Sequence, residues 1–130
     1  MTPSKERRVI VLGASPKRSR FSNKAVRCYR ELGYEVVPVH PLAKEIEGLT
    51  VYPTIADVPG EAELLLSYVR PELAIEVMEQ AVEKGVARVF LNPGAASPAI
   101  AAKVRELGME PVEDCAIVAV GRSPAEFPES

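Results

Sequence analysis
The chain has no tryptophan, only seven tyrosines and phenylalanines, two cysteines and one histidine in 130 residues. Few aromatics leave little to stack on splayed bases, which disfavours nucleic acid as a partner. Cys28 and Cys115 are too few for a disulfide scaffold or a four-thiolate zinc site. His40 alone cannot build a His-rich metal site, and it makes a hydrolytic triad a poor reading. No metal is expected. Apolar runs stay far below the ~18 residues of a membrane span. Met1 to Arg8 is polar and charged with no apolar stretch behind it, unlike a secretory leader. The expectation is a cytoplasmic protein with no membrane partner. Repeats, low-complexity tracts and linkers are also missing. The 130 residues therefore read as one domain, with 123–130 as a frayed tail.

What the chain does have is 47% apolar residues, 26% charged residues and a net charge of −2 that hides an asymmetry. Residues 1–30 hold nine cations (Lys5, Arg7, Arg8, Lys17, Arg18, Arg20, Lys24, Arg27 and Arg30) against the single acid Glu6. The other 100 residues hold the remaining seven cations and 17 acids. Such a split is either a solvated basic surface or the mark of an anionic partner near the amino-terminal segment.

The hydrophobic pattern alternates between short apolar runs and helical stripes. Arg8–Leu12 reads as a strand buried on both faces, followed by a loop from Gly13 to Phe21. Asn23–Leu32 reads as a helix on Ala25, Val26, Cys28, Tyr29 and Leu32, with Ser22 as N-cap and Gly33 as stop. Glu35–Val39 is a second strand. Pro and Gly punctuate 42–60, where an extended piece is expected at Thr50–Tyr52. Glu63–Tyr68 is a third strand and Pro71–Lys84 a helix, with Leu73, Ala74, Val77, Met78, Ala81 and Val82 as its stripe. Ala87–Leu91 is a fourth strand, Pro98–Leu107 a helix and Met109–Val112 a fifth strand. Ala116–Val120 reads as an edge strand or a strap. Strands alternating with amphipathic helices imply a three-layer α/β fold, an open parallel sheet of about five strands with helices on both faces.

Ligands of such sheets bind at the strand carboxyl ends. The first of these ends is the loop Gly13-Ala14-Ser15-Pro16-Lys17-Arg18, with Arg20 just beyond it. Gly13 permits a tight turn, Ser15 offers a hydroxyl, and Lys17, Arg18 and Arg20 add charge to a helix amino terminus that already attracts phosphate. A phosphate-bearing small molecule is the expected partner. The loop lacks the three glycines of the dinucleotide fingerprint, and the second strand ends in Val39-His40 without an acid. It lacks the Gly-Lys-Ser/Thr of a P-loop as well.

Gly13-Ala14-Ser15-Pro16, Leu32-Gly33-Tyr34, Val36-Val37-Pro38-Val39-His40-Pro41 and the stretch Ile46 to Pro59 (with Gly48 and Val51-Tyr52-Pro53-Thr54-Ile55-Ala56-Asp57-Val58-Pro59) are similar to the small stand-alone CoA-binding proteins. These resemble the CoA-binding domain of the succinyl-CoA synthetase alpha subunit. The resemblance runs from Arg8 to about Val120. It implies a Rossmann-like fold with strand order 3-2-1-4-5 and a CoA or acyl-CoA ligand across the strand ends. By position, Gly13, Ser15 and Lys17 match the phosphate loop. Val39, His40 and Pro41 match the wall near adenine and ribose. Tyr68, Val69 and Arg70 match the strand-three end that in the family flanks the pantetheine arm, and Asn92, Pro93 and Gly94 match the strand-four end. Many members carry Asn where this chain has His40.

His40 is open to two readings, as a ligand contact or as a cap of its strand. Cys28 reads as core. Cys115 follows Glu113 and Asp114, whose charges disfavour its thiolate. No convincing catalytic constellation can be assembled. Non-catalytic binding leads, ahead of an enzyme or enzyme subunit acting on a CoA thioester with a partner enzyme, and of a ligand-free interaction scaffold. Monomer and homodimer both stay open.

Overall fold
The computed structural model describes residues 6–129; Lys5, one of the nine cations, and Ser130, the end of the expected tail, lie outside it. Strands β1 (Arg8–Leu12), β2 (Glu35–Val39), β5 (Leu64–Ser67), β6 (Arg88–Leu91) and β7 (Glu110–Val112) form one parallel sheet in the order β2-β1-β5-β6-β7. Strands β3 (Glu45–Ile46) and β4 (Leu49–Thr50) make a small antiparallel hairpin between β2 and β5. The helices are α1 (Phe21–Glu31), α2 (Pro71–Glu83), α3 (Pro98–Glu106) and the short α4 (Ala116–Ala119).

The three layers follow from strand alternation. Ile10 and Leu12 of β1 face one core, with Leu65 and Val89, against Met78 of α2 and Ile100 of α3. Val9 and Val11 face the other, with Leu66 and Phe90, against Val26 and Tyr29 of α1 and Ile117 of α4. Every residue of β1 is buried, as a central parallel strand requires.

The strand order differs from 3-2-1-4-5 as the strands were numbered from sequence. The third run, Glu63–Tyr68, pairs with β1 on the side away from β2, so the five long strands run 2-1-3-4-5. At the outer edge of β2 the place of a further strand is taken by one bridge, Val39 to Tyr52. Tyr52 N–H donates to Pro38 O at 3.1 Å and His40 N–H to Tyr52 O at 3.1 Å. Pro38 thus turns its carbonyl, and with it the position of its missing N–H, to the sheet edge. Because the chain passes from β1 to β2 on one side and then crosses back to β5 on the other, the order reverses between β1 and β5.

Four local expectations change. Helix α1 begins at Phe21 with Arg20 as N-cap, not at Asn23 behind Ser22. Phe21 faces outward, 60% exposed, and so carried no stripe signal. On α2, Leu73 and Val82 lie outside the buried face, which is Ala74, Met78 and Ala81. Ala116–Val120 is neither strand nor strap: its first four residues are α4, with Ala116 and Ile117 buried. The tail does not fray over 123–129. Ser123 and Glu126 form a capping box around a 3-10 turn at Pro124–Glu126, Phe127 is buried, and Arg27 donates to Pro128 O at 2.9 Å.

Candidate functional site
The reversal point between β1 and β5 carries a groove of about 580 Å³. It is lined by Gly13, Ala14, Ser15, Pro16, Lys17, Arg20, Phe21, Ser22, His40, Tyr68 and Pro93. Eight of these are residues singled out from sequence. The volume lies in the range of small-molecule and cofactor sites.

Gly13 makes the floor possible. Its φ is +83°, and a Cβ built on it would lie 2.8 Å from Val69 Cγ1 and 3.3 Å from the carbonyl carbon of Tyr68. Val69 therefore acts by pressing on Gly13 from β5 rather than by lining the groove. Val39, 2% exposed, stands behind the wall, and its carbonyl accepts from both Gly13 N–H (3.1 Å) and Ala14 N–H (3.2 Å). The loop then folds on itself. Lys17 N–H donates to Ser15 Oγ at 3.1 Å, and the fully buried Asn23 donates from Nδ2 to Ser15 O at 2.9 Å.

Six of the eight described amino-terminal cations are engaged by partners within the chain. Arg8 pairs with Glu35 at 2.6 Å. Arg7 donates to Leu32 O and stacks over Tyr34. Arg18 pairs with Glu47 at 3.3 Å, and Arg30 donates to Glu47 O at 2.6 Å. Lys24 reaches Glu129 at 4.0 Å. Arg27 is buried and donates to Asn23 Oδ1, Arg18 O and Pro128 O. Its pKa is lowered, first by burial and then by the Arg18 charge. Lys17 and Arg20 differ. Both are exposed on the groove wall and make no ion pair among the described residues. Backbone N–H groups of Phe21 and Ser22 open α1 beside them, with no side-chain cap. Two open cations and a helix amino terminus give the groove wall a positive potential.

His40 caps its strand. Its Nδ1 accepts from Leu42 N–H at 3.0 Å and Ala43 N–H at 2.9 Å. That assigns the ring proton to Nε2, leaving a donor at the groove. Tyr68 borders the groove, its hydroxyl oxygen buried without a partner among the described residues. Burial pushes its pKa far up.

The remaining predicted residues stand away from the groove. Pro41 is exposed outside the lining. Arg70 is the N-cap of α2 and exposed. Gly94 is exposed in a turn at φ +90°. Asn92 is 1% exposed and works as a brace. Its Nδ2 donates to Ser67 O at 3.0 Å and its Oδ1 accepts from Ala116 N–H at 2.8 Å, tying β5, β6 and α4 together. Arg18, expected on phosphate, is turned to Glu47 instead.

The model of the CoA binding domain matches residues 7–121. The chain belongs to the CoA-binding domain family. Among solved structures, a hypothetical protein from Pyrococcus horikoshii is 33% identical, with a TM-score of 0.77 over 82% of this chain and 75% of that one. The uncharacterized protein YneT of Bacillus subtilis is 22% identical over 113 residues, which is 87% of this chain and 84% of YneT. Acetate–CoA ligase (ADP-forming) I of Archaeoglobus fulgidus is 30% identical over 78 residues, 60% of this chain but 11% of the ligase. The chain thus corresponds to a small part of that enzyme's length.

Sequence reasoning missed Phe21 and Ser22 on the wall of this CoA-binding domain, and Asn23 and Glu47 behind it. Asn23 had a readable signal, a polar residue on the inward face of α1. Glu47 had none, because the β3–β4 hairpin that carries it to α1 pairs residues through tertiary contact. Cys28 is core, its thiol pushed up to about 11 by burial. No group of three or more His, Cys, Asp or Glu suited to a metal occurs among the described residues, and no helix of theirs is long and apolar enough to cross a membrane.

Proposed function
We propose that this chain binds CoA or an acyl-CoA in the β1–β5 groove without catalysing its turnover. The observation that carries the reading is the pair Lys17 and Arg20, open on the groove wall beside the first turn of α1, in a CoA-binding domain. These groups suit the phosphates of the ligand. Gly13 and Ala14 let backbone approach closely, and the Nε2–H of His40 offers a donor to a ribose or phosphate oxygen. Asn92 and Val69 support this arrangement from behind. The groove holds one imidazole and two cations but no carboxylate, which leaves general acid–base chemistry without a matched pair.

A thermal-shift titration with CoA, and with NAD and ATP as controls, tests the reading. Ligand at 100 times Kd adds about 2.7 kcal/mol, several degrees for a domain of this size. CoA is expected to raise Tm and the controls are not. Lys17→Ala with Arg20→Ala should sharply reduce the shift while leaving the ligand-free Tm within a degree or so, since neither residue holds the fold together. No shift at millimolar CoA would overturn the proposal. Steady thiol release from acetyl-CoA would overturn its non-catalytic part.

A further inference from the structure
Beside the groove lies a second, smaller cavity of about 170 Å³, lined by Phe21, Tyr68, Asn92, Pro93, Cys115 and Pro124. It shares Phe21, Tyr68 and Pro93 with the groove, so the two spaces adjoin across those side chains. Their chemistry differs. The groove wall carries Lys17, Arg20 and His40, whereas no charged residue borders the cavity. Its most polar side chain, the amide of Asn92, is already engaged by Ser67 O and Ala116 N–H. Phe21 stands 60% exposed on the shared wall, an aromatic surface with the Lys24 ammonium 5.8 Å from its ring centre. Cys115 adds a soft, apolar-tolerant sulfur on the far side.

We propose that this cavity receives the short, uncharged acyl group of an acyl-CoA whose nucleotide end lies in the groove. The inference rests on the binding reading above and sharpens its ligand class. Volume sets the length: a water occupies about 30 Å³ of liquid, so the cavity holds about five or six heavy atoms, a group near butyryl or isovaleryl in size. Lining sets the polarity. A terminal carboxylate would be desolvated there with no cation to meet it, which excludes dicarboxylic acyl groups.

The test compares dissociation constants of CoA, acetyl-CoA, butyryl-CoA, succinyl-CoA and octanoyl-CoA by calorimetry on the intact chain. Each methylene seated in the cavity should tighten binding roughly fourfold. Butyryl-CoA is therefore expected at least tenfold tighter than acetyl-CoA. Octanoyl-CoA should gain nothing beyond butyryl-CoA, and succinyl-CoA should bind no tighter than CoA itself. Cys115→Leu, which narrows the cavity by about two heavy atoms, should cut the butyryl preference to below that of the unaltered chain while CoA affinity holds. Equal affinity for CoA and butyryl-CoA would overturn this inference and leave CoA binding standing, as would a gain with succinyl-CoA or a butyryl preference undiminished in Cys115→Leu. Failure of CoA and butyryl-CoA alike to bind would bring down both readings. Should Cys115→Leu not fold, the acyl series on the unaltered chain decides alone.

Discussion
Gly13 and Val69 meet where β1 turns into its loop, and the fit leaves no room for a Cβ. Gly13→Ala must hold a left-handed φ and push against the β5 end at once. We expect a loss of about 2 kcal/mol in urea unfolding, together with weakened CoA binding. A stability equal to the parent's would show that the close approach is not needed. Lys17 and Arg20 pose a different question, because they touch no partner that the fold requires. Their contribution to ligand binding is electrostatic and exposed, so CoA affinity should fall steeply as salt rises. In the Lys17→Ala, Arg20→Ala double variant the remaining affinity should be nearly independent of salt. An unchanged salt slope would remove these two residues from the phosphate site.

At the scale of elements, the helix starts explain why the groove is open on one side and firm on the other. Helix α3 is capped conventionally: Ser97 Oγ accepts from Ile100 N–H at 3.3 Å, and Pro98 occupies the first turn. Ser97→Ala should cost about 1 kcal/mol and leave CoA affinity unaltered, measured by denaturation and titration of the same sample. Helix α1 has no such cap, and its first residues, Phe21 and Ser22, line the groove. The β3–β4 hairpin compensates from outside. Its two-residue turn puts Glu47 at φ +52° and Gly48 at φ +78°, the positive-φ pair that a tight hairpin demands. Glu47 there reaches Arg18, Asn23 and Arg30. The hairpin thus neutralises the inner flank of α1 and leaves Lys17 and Arg20 on the outer flank open.

At the scale of the whole molecule, burial holds three protons against release among the described residues. Burial raises the Cys28 thiol to about 11 and lifts Tyr29 and Tyr68 in the same direction. In the unfolded chain Cys28 ionises near 9, so between pH 9 and 11 the unfolded state binds fewer protons and stability falls as pH rises. Two pH units amount to about 2 to 3 kcal/mol from Cys28, with the tyrosines extending the loss at higher pH. Urea midpoints at pH 8, 9.5 and 11 should decline, and Cys28→Ala should flatten the first part of that decline. A parent curve flat to pH 11 would contradict the burial of this thiol.

Much of this was legible from residues alone. The strand read at Arg8–Leu12 and the helices read at Pro71–Lys84 and Pro98–Leu107 follow from local pattern, which depends on neighbours in sequence. The loop at Gly13 was likewise readable as a site, because its glycine, hydroxyl and cations lie in one stretch. Other features needed the folded chain. The third apolar run could pair on either side of β1, and apolar strand sequences do not encode which edge they join. Nine clustered cations left a solvated surface and an anionic partner both open, and Glu47, Glu35 and Glu129 come from distant segments to pair with four of them. Phe21, Asn92 and Cys115 lie at positions 21, 92 and 115, and meet around one cavity only because β1, β6 and the chain after β7 end at the same edge of the sheet. Local propensity and charge composition set what this chain is made of and what kind of ligand it calls for. Tertiary packing alone decided which charges stay open and what shape they surround, because pairing of distant segments is a property of the whole fold.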